Sequence, residues 1–188
     1  MDLFDSTPPT PPPQRASAAK VRAADLDADL LKLANAMPPQ LRLGTSSWTF
    51  QGWKGLVWDA DYSESILSRH GLPAYAQHPM LRTVSLDRAF YRPLSASQYA
   101  AYAAQVPSGF RFVVKAPSLV ADAMVRGESG RGMQPNPSFL DPALASTEFI
   151  QPALDGLGDR IGALVFQLSP LPAHWVARKA EFFDRLSM

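Results

Sequence analysis

LRTVSLDRAFYRPLSASQYAAYAAQVPSGFRFVVK, residues Leu81–Lys115, changes its period twice. Within Leu81–Asp87, Val84 and Leu86 alternate with Thr83, Ser85 and Asp87, which predicts a strand with one apolar face. Ser95 stands at an N-cap position, and Ser95–Gln105 reads as a helix. Phe110–Lys115 then returns to a strand. A strand, a crossover helix and a second strand make the two strands parallel neighbours.

The same unit recurs on both sides. Upstream, Leu41–Thr45 predicts a strand, and Ser63–Gln77 a loop and helix. Downstream, after a long loop, come a helix over Pro142–Leu157, a strand over Ile161–Leu168 and a helix over Pro172–Leu186. Four βα units imply an α/β fold with helices packed on a parallel sheet. Residues 17–40 precede them as a helix and linker. Val21, Leu26, Leu30 and Leu33 form an approximate stripe, Ser17 is the expected cap, and Pro38-Pro39 is the stop. Residues 1–16 form a proline-rich tail whose composition predicts disorder.

The 188-residue chain is 46% hydrophobic and 19% charged, which fits a globular class. A net charge of +1 supplies no general attraction to nucleic acid or to an anionic membrane. Without cysteine, disulfides and thiolate nucleophiles are excluded. His70, His78 and His174 lie far apart and show no ligand spacing, so neither a metal nor another cofactor is expected. Asp2 and Asp5 oppose a signal peptide, and no run reaches the ~20 apolar residues of a membrane span. The expected location is the cytoplasm, with no membrane partner.

Four ordered motifs add a family. GTSSWTFQGWKG at Gly44–Gly55, AFYRPLS at Ala89–Ser95, GFRFVVKAP at Gly109–Pro117 and LGDRIGALVFQLSP at Leu157–Pro170 resemble the domain-of-unknown-function 72 family, the YecE-like proteins. The resemblance implies a (β/α)8 TIM barrel, but no established reaction. Such a barrel needs about 250 residues, so residues 41–188 would form only its first four βα units, the N-terminal half. Three accounts remain open: a shortened barrel, a half-barrel that dimerises through its exposed edges, or an open four-stranded sheet.

In a barrel of this kind the loops after the strands form the functional face. Ser46, Trp48, Trp53 and Lys54 would then lie there, unless the tryptophans merely plug the barrel mouth. Strand parity directs Asp87, Lys115 and Gln167, each near a strand's C-terminal end, to one interior face. Asp87 and Lys115 are the candidate catalytic pair. Lys115 could serve as a Schiff-base nucleophile, but a neighbouring carboxylate keeps an amine charged. An ion pair, or a cation for an anionic ligand, is therefore the stronger expectation. The resemblance implies an acid at position 85, an amide at 87 and a hydroxyl at 89, whereas this chain has Ser85, Asp87 and Ala89. A threonine–histidine pair implied after the third strand is Ala121-Asp122. Asp87 shares the parity of Ser85 and could take over the acidic role.

Further ligand contacts are expected from Arg88 and Tyr91 after the second strand, and from Arg126 and Arg131 in the loop from Ala116 to Asp141. That loop reads either as a lid or as a disordered insertion. The first functional reading is a binding site, with or without catalysis, for a small anionic or phosphorylated ligand. A second is nucleic-acid binding or processing through Arg88, Arg92, Arg126 and Arg131 with the aromatics. A third is a fragment inactive alone.

Overall fold

The computed structural model describes residues 20–126 and 132–187. Four strands make a parallel sheet: β1 (Leu43–Thr45), β2 (Leu81–Leu86), β3 (Arg111–Lys115) and a fourth, Ile161–Val165. Each lies beside the strand that precedes it in the sheet. Thr83 stands opposite Arg111, Ser85 opposite Val113, and Lys115 opposite Val165. The register of β1 on β2 shifts between Leu43 and Gly44. A Cβ at Gly44 would lie 2.1 Å from the Thr83 carbonyl oxygen, so only glycine permits this approach.

Helices fill the crossovers. Between β1 and β2 run α2 (Glu64–His70) and α3 (Leu72–Tyr75); α1 (Ala28–Ala36) precedes β1. Between β2 and β3 run α4 (Arg88–Tyr91) and α5 (Ala96–Ala103). Ser95 and Gln98 form a reciprocal capping box at the start of α5. After β3 come α6 (Ser118–Ala121) and an antiparallel hairpin, β4 (Met124–Arg126) and β5 (Met133–Pro135). Then α7 (Pro142–Ala145), a π-helical turn (Ser146–Ile150) and α8 (Gln151–Leu157) run on consecutively into the fourth sheet strand, hereafter β6. The chain continues through α9 (Ala173–Ala177) and α10 (Lys179–Leu186).

The main core lies between the sheet and its helices. Val84, Leu86, Phe112 and Val114 from the sheet meet Leu67, Tyr75, Tyr99, Phe149 and Leu157. Burial of this apolar surface is the main stabilising term. Helices α5 and α8 approach closely at Gly156, where an added Cβ would fall 2.3 Å from the Ala96 carbonyl oxygen. Opposite the helices, Thr83, Ser85, Arg111, Val113, Lys115 and Val165 are half-buried. A smaller cluster joins Ala123, Phe139, Leu140 and Trp175. The guanidinium of Arg185 lies 5.1 Å from the Trp175 ring and that of Arg178 5.3 Å, within cation–π range.

Several boundaries depart from the sequence reading. Helix α1 starts at Ala28 with Asp27 as its cap, rather than at Ser17, which lies outside the described residues, as does the proline-rich tail. The preceding segment is held extended by the loop after β1: Ala24 N–H donates to Val57 O at 2.9 Å, and Ala23 bridges Trp58. Strand β6 ends at Val165 rather than Leu168, which leaves Gln167 exposed beyond it. The expected C-terminal helix breaks at Arg178, whose φ of −104° and ψ of 35° are not helical. The Ala116–Asp141 loop carries helix α6 and the β4–β5 hairpin. Buried Asn136 anchors it, donating from its side-chain amide to Leu119 O and Asp122 O, both at 2.8 Å. Among the described residues, no helix is long and apolar enough to cross a membrane.

Candidate functional site

The loop after β1 is pinned by its own sequence. Thr45 N–H donates to the Tyr75 hydroxyl at 3.2 Å, and that hydroxyl donates to Thr83 O at 3.1 Å. Burial pushes the Tyr75 phenol above its usual pKa. Thr45 Oγ1 donates to Ser47 O at 2.7 Å, and Thr49 N–H donates to Ser47 Oγ at 3.1 Å. Trp48 is buried, with its indole N–H donating to Leu67 O at 3.2 Å. Trp58 anchors the far side by donating to Phe50 O at 3.0 Å.

These constraints hold open two adjoining clefts at the C-terminal ends of β1 and β2. One, of about 230 Å³, is lined by Ser46, Ser47, Trp48, Thr49, Ser68, Ser85, Asp87, Arg88 and Tyr102, with Leu86 behind them. The other, of about 460 Å³, shares Ser46, Ser47 and Thr49 and adds Phe50, Gln51, Trp53 and Glu64. Hydroxyl groups dominate the smaller cleft. Arg88 is its cation, and it meets no carboxylate among the described residues.

Asp87 forms the link to β3. Its Oδ2 accepts from Lys115 Nζ at 3.1 Å, and its Oδ1 accepts from Ser85 Oγ. The side chains of Lys115 and Asp87 are 26% and 37% exposed. Asp87 follows the last residue of β2, with helical backbone before α4, rather than ending the strand as the sequence predicts, and Lys115 is the last residue of β3, so the pair joins the ends of two adjacent strands. Its charges cancel locally, so Arg88 carries the remaining positive charge of the smaller cleft. This arrangement can hold an oxyanion through a guanidinium and several hydroxyls, beside a carboxylate able to accept a proton.

The sequence-derived residues divide clearly. Ser46, Trp48, Asp87 and Arg88 come together in the smaller cleft, with Lys115 bonded to Asp87, and Trp53 lines the larger. The tryptophans act chiefly as walls: Trp48 has its N–H committed, and Trp53 packs against Phe50, Trp58 and Tyr75. Lys54 is outside both clefts and pairs with Asp61. Tyr91 is 81% exposed and lines neither cleft. Gln167 lies past the end of β6. Arg126 closes β4, and Arg131 lies outside the described residues. Sequence reasoning missed Ser47, Thr49, Ser68, Tyr102 and Glu64. Ser47 and Thr49 sit in the motif already singled out. Glu64 and Ser68 share one face of α2, four residues apart, a spacing that could have placed them together. Among the described residues, no group of three or more histidine, aspartate or glutamate side chains could hold a metal.

No curated protein matches the chain. A crystal structure of a DUF72 family protein, EF0366 from Enterococcus faecalis V583, matches with a TM-score of 0.50 at 22% identity. The match covers 77% of this chain and 46% of that one, so this chain spans about half the length of its solved relative. A second crystal structure of EF0366 matches with a TM-score of 0.42, also at 22% identity, over 63% of this chain and 44% of that one. The model of the family described as "Protein of unknown function DUF72" matches residues 42–187, and the chain belongs to that family.

Proposed function

We propose that the clefts after β1 and β2 bind a small phosphorylated or otherwise anionic ligand at the C-terminal face of a (β/α)8-type barrel, of which this chain supplies the first four units. One observation carries the reading: the uncompensated Arg88 lies in a hydroxyl-rich cleft beside the Asp87–Lys115 pair. Arg88 with Ser46 and Ser85 would grip the oxyanion. Lys115 adds a second cation when the ligand's charge draws it from Asp87. Asp87 is the group placed to move a proton if a reaction follows. With Asp87 3.1 Å from its ammonium, Lys115 serves better as a cation than as a covalent nucleophile.

Titration with glycerol phosphate tests this reading by calorimetry. Arg88→Ala should weaken binding about tenfold, the loss of one charge-assisted contact. Lys115→Ala should weaken it further. Affinity unchanged in both variants overturns the assignment.

A further inference from the structure

The opposite end of the sheet holds a third cavity, of about 380 Å³, bounded by the segments leading into β1, β2 and β3. Leu81, Phe110 and three prolines supply its apolar wall, and no carboxylate lines it. Its charged and hydrogen-bonding side chains include Arg42, His78 and Arg82.

These groups are already oriented. Arg82 Nε donates to Pro79 O at 3.2 Å and Nη2 to Ala34 O at 2.9 Å. The two bonds fix the guanidinium plane and leave Nη1 without a protein acceptor among the described residues. Arg42 makes one long contact, Nη1 to Gln40 O at 3.5 Å. Neither arginine meets a carboxylate among the described residues. His78 Nδ1 accepts from Met80 N–H at 3.3 Å, so Nε2 carries the proton of the neutral ring and is a donor. Burial lowers the His78 pKa, which favours that neutral form. Two cations without counter-ions and a third donor match the charge and oxygen count of a phosphate dianion. The apolar wall requires the phosphate to carry a hydrophobic body.

We propose that this cavity binds a phosphate monoester with an apolar body. The phosphate meets Arg42, Arg82 and His78 Nε2–H, and the body packs against Phe110 and Leu81. The site lies at the end of the sheet opposite the clefts proposed above and does not depend on them.

The probe is phenyl phosphate, titrated into the full chain by calorimetry with NMR detection. Arg42→Met and Arg82→Met should each weaken binding about tenfold, and benzoate, with half the charge, should bind at least about tenfold more weakly. Binding is read from the amide shifts of His78, Leu81 and Phe110, which line this cavity and neither of the clefts at the other end of the sheet. Arg82→Met also removes the donor to Ala34 O; should that variant fail to fold, Arg42→Met decides alone, because its exposed side chain holds little in place. Three results overturn the proposal: no saturable shift of those amides, a titration indifferent to Arg42→Met, or equal affinity for benzoate.

Discussion

Gly156→Ala sets two effects of opposite sign against each other. At an unconstrained helix position, alanine in place of glycine is favourable by about 1 kcal/mol. In α8 the new methyl would lie 2.3 Å from the Ala96 carbonyl oxygen, 2.5 Å from Tyr99 Cβ and 3.0 Å from Ala100 N. Ordinary contact begins near 3.4 Å, so α8 must retreat from α5 by about 1 Å. All three neighbours are backbone or Cβ atoms, which no rotamer change can move. Ala153 and Leu157, buried on the same helix, would lose contact as it withdraws. Overpacking typically costs about 1–3 kcal/mol, and the rigidity of these neighbours places this site at the upper end. After the propensity gain, a net loss of about 2 kcal/mol is expected. With a urea m-value of about 2 kcal/mol/M, the unfolding midpoint should fall by about 1 M. Circular dichroism during urea titration reads it directly. An unchanged or raised midpoint would show that propensity wins and would refute the close-approach argument.

Two further outcomes concern buried and paired groups. A double-mutant cycle with Asp87→Asn and Lys115→Met, read by urea unfolding, should give a coupling of about 1 kcal/mol, because the pair is partly exposed and screened; coupling indistinguishable from zero would mean the pair does not persist in solution. Burial pushes the Tyr99 phenol from the ordinary 10.0 up to about 12. Since the unfolded phenol ionises first, this stabilisation is complete below pH 10 and is lost as the pH rises towards 12. The measurement is unfolding free energy against alkaline pH, where Tyr99→Phe should flatten the decline; an equally steep decline in that variant assigns it elsewhere.

The parallel sheet was legible because Val84 and Leu86, like Phe112 and Val114, alternate with polar or half-buried neighbours over enough residues to show a period of two. The same parity brought Asp87 and Lys115 together, and they do pair, although Asp87 stands one residue past the end of β2. The β4–β5 hairpin stayed hidden because its strands have three residues each, too few for a period. The start of α1 was misread because a tertiary contact with Trp58 draws residues 20–24 into an extended course, against their local pattern. Within the opening motif, residue type could not separate site from scaffold. Trp48 turns its indole to Leu67 O and Lys54 finds Asp61, while the less conspicuous Ser47 and Thr49 line the clefts. Those outcomes depend on partners remote in sequence or set by the folded loop.

Because spatial order in the sheet repeats chain order, from β1 through β2 and β3 to β6, each strand can add to an edge already formed. No strand has to wait for a later one or insert between two earlier ones. A chain emerging from the ribosome can therefore assemble this sheet vectorially, with β1 and β2 as the first template. The last strand to dock in such a sequence is β6, which must await the hairpin and α7–α8 before it closes on β3. Until then the β3 edge, with Val113 and Lys115, is the surface a nascent chain leaves open to chaperones.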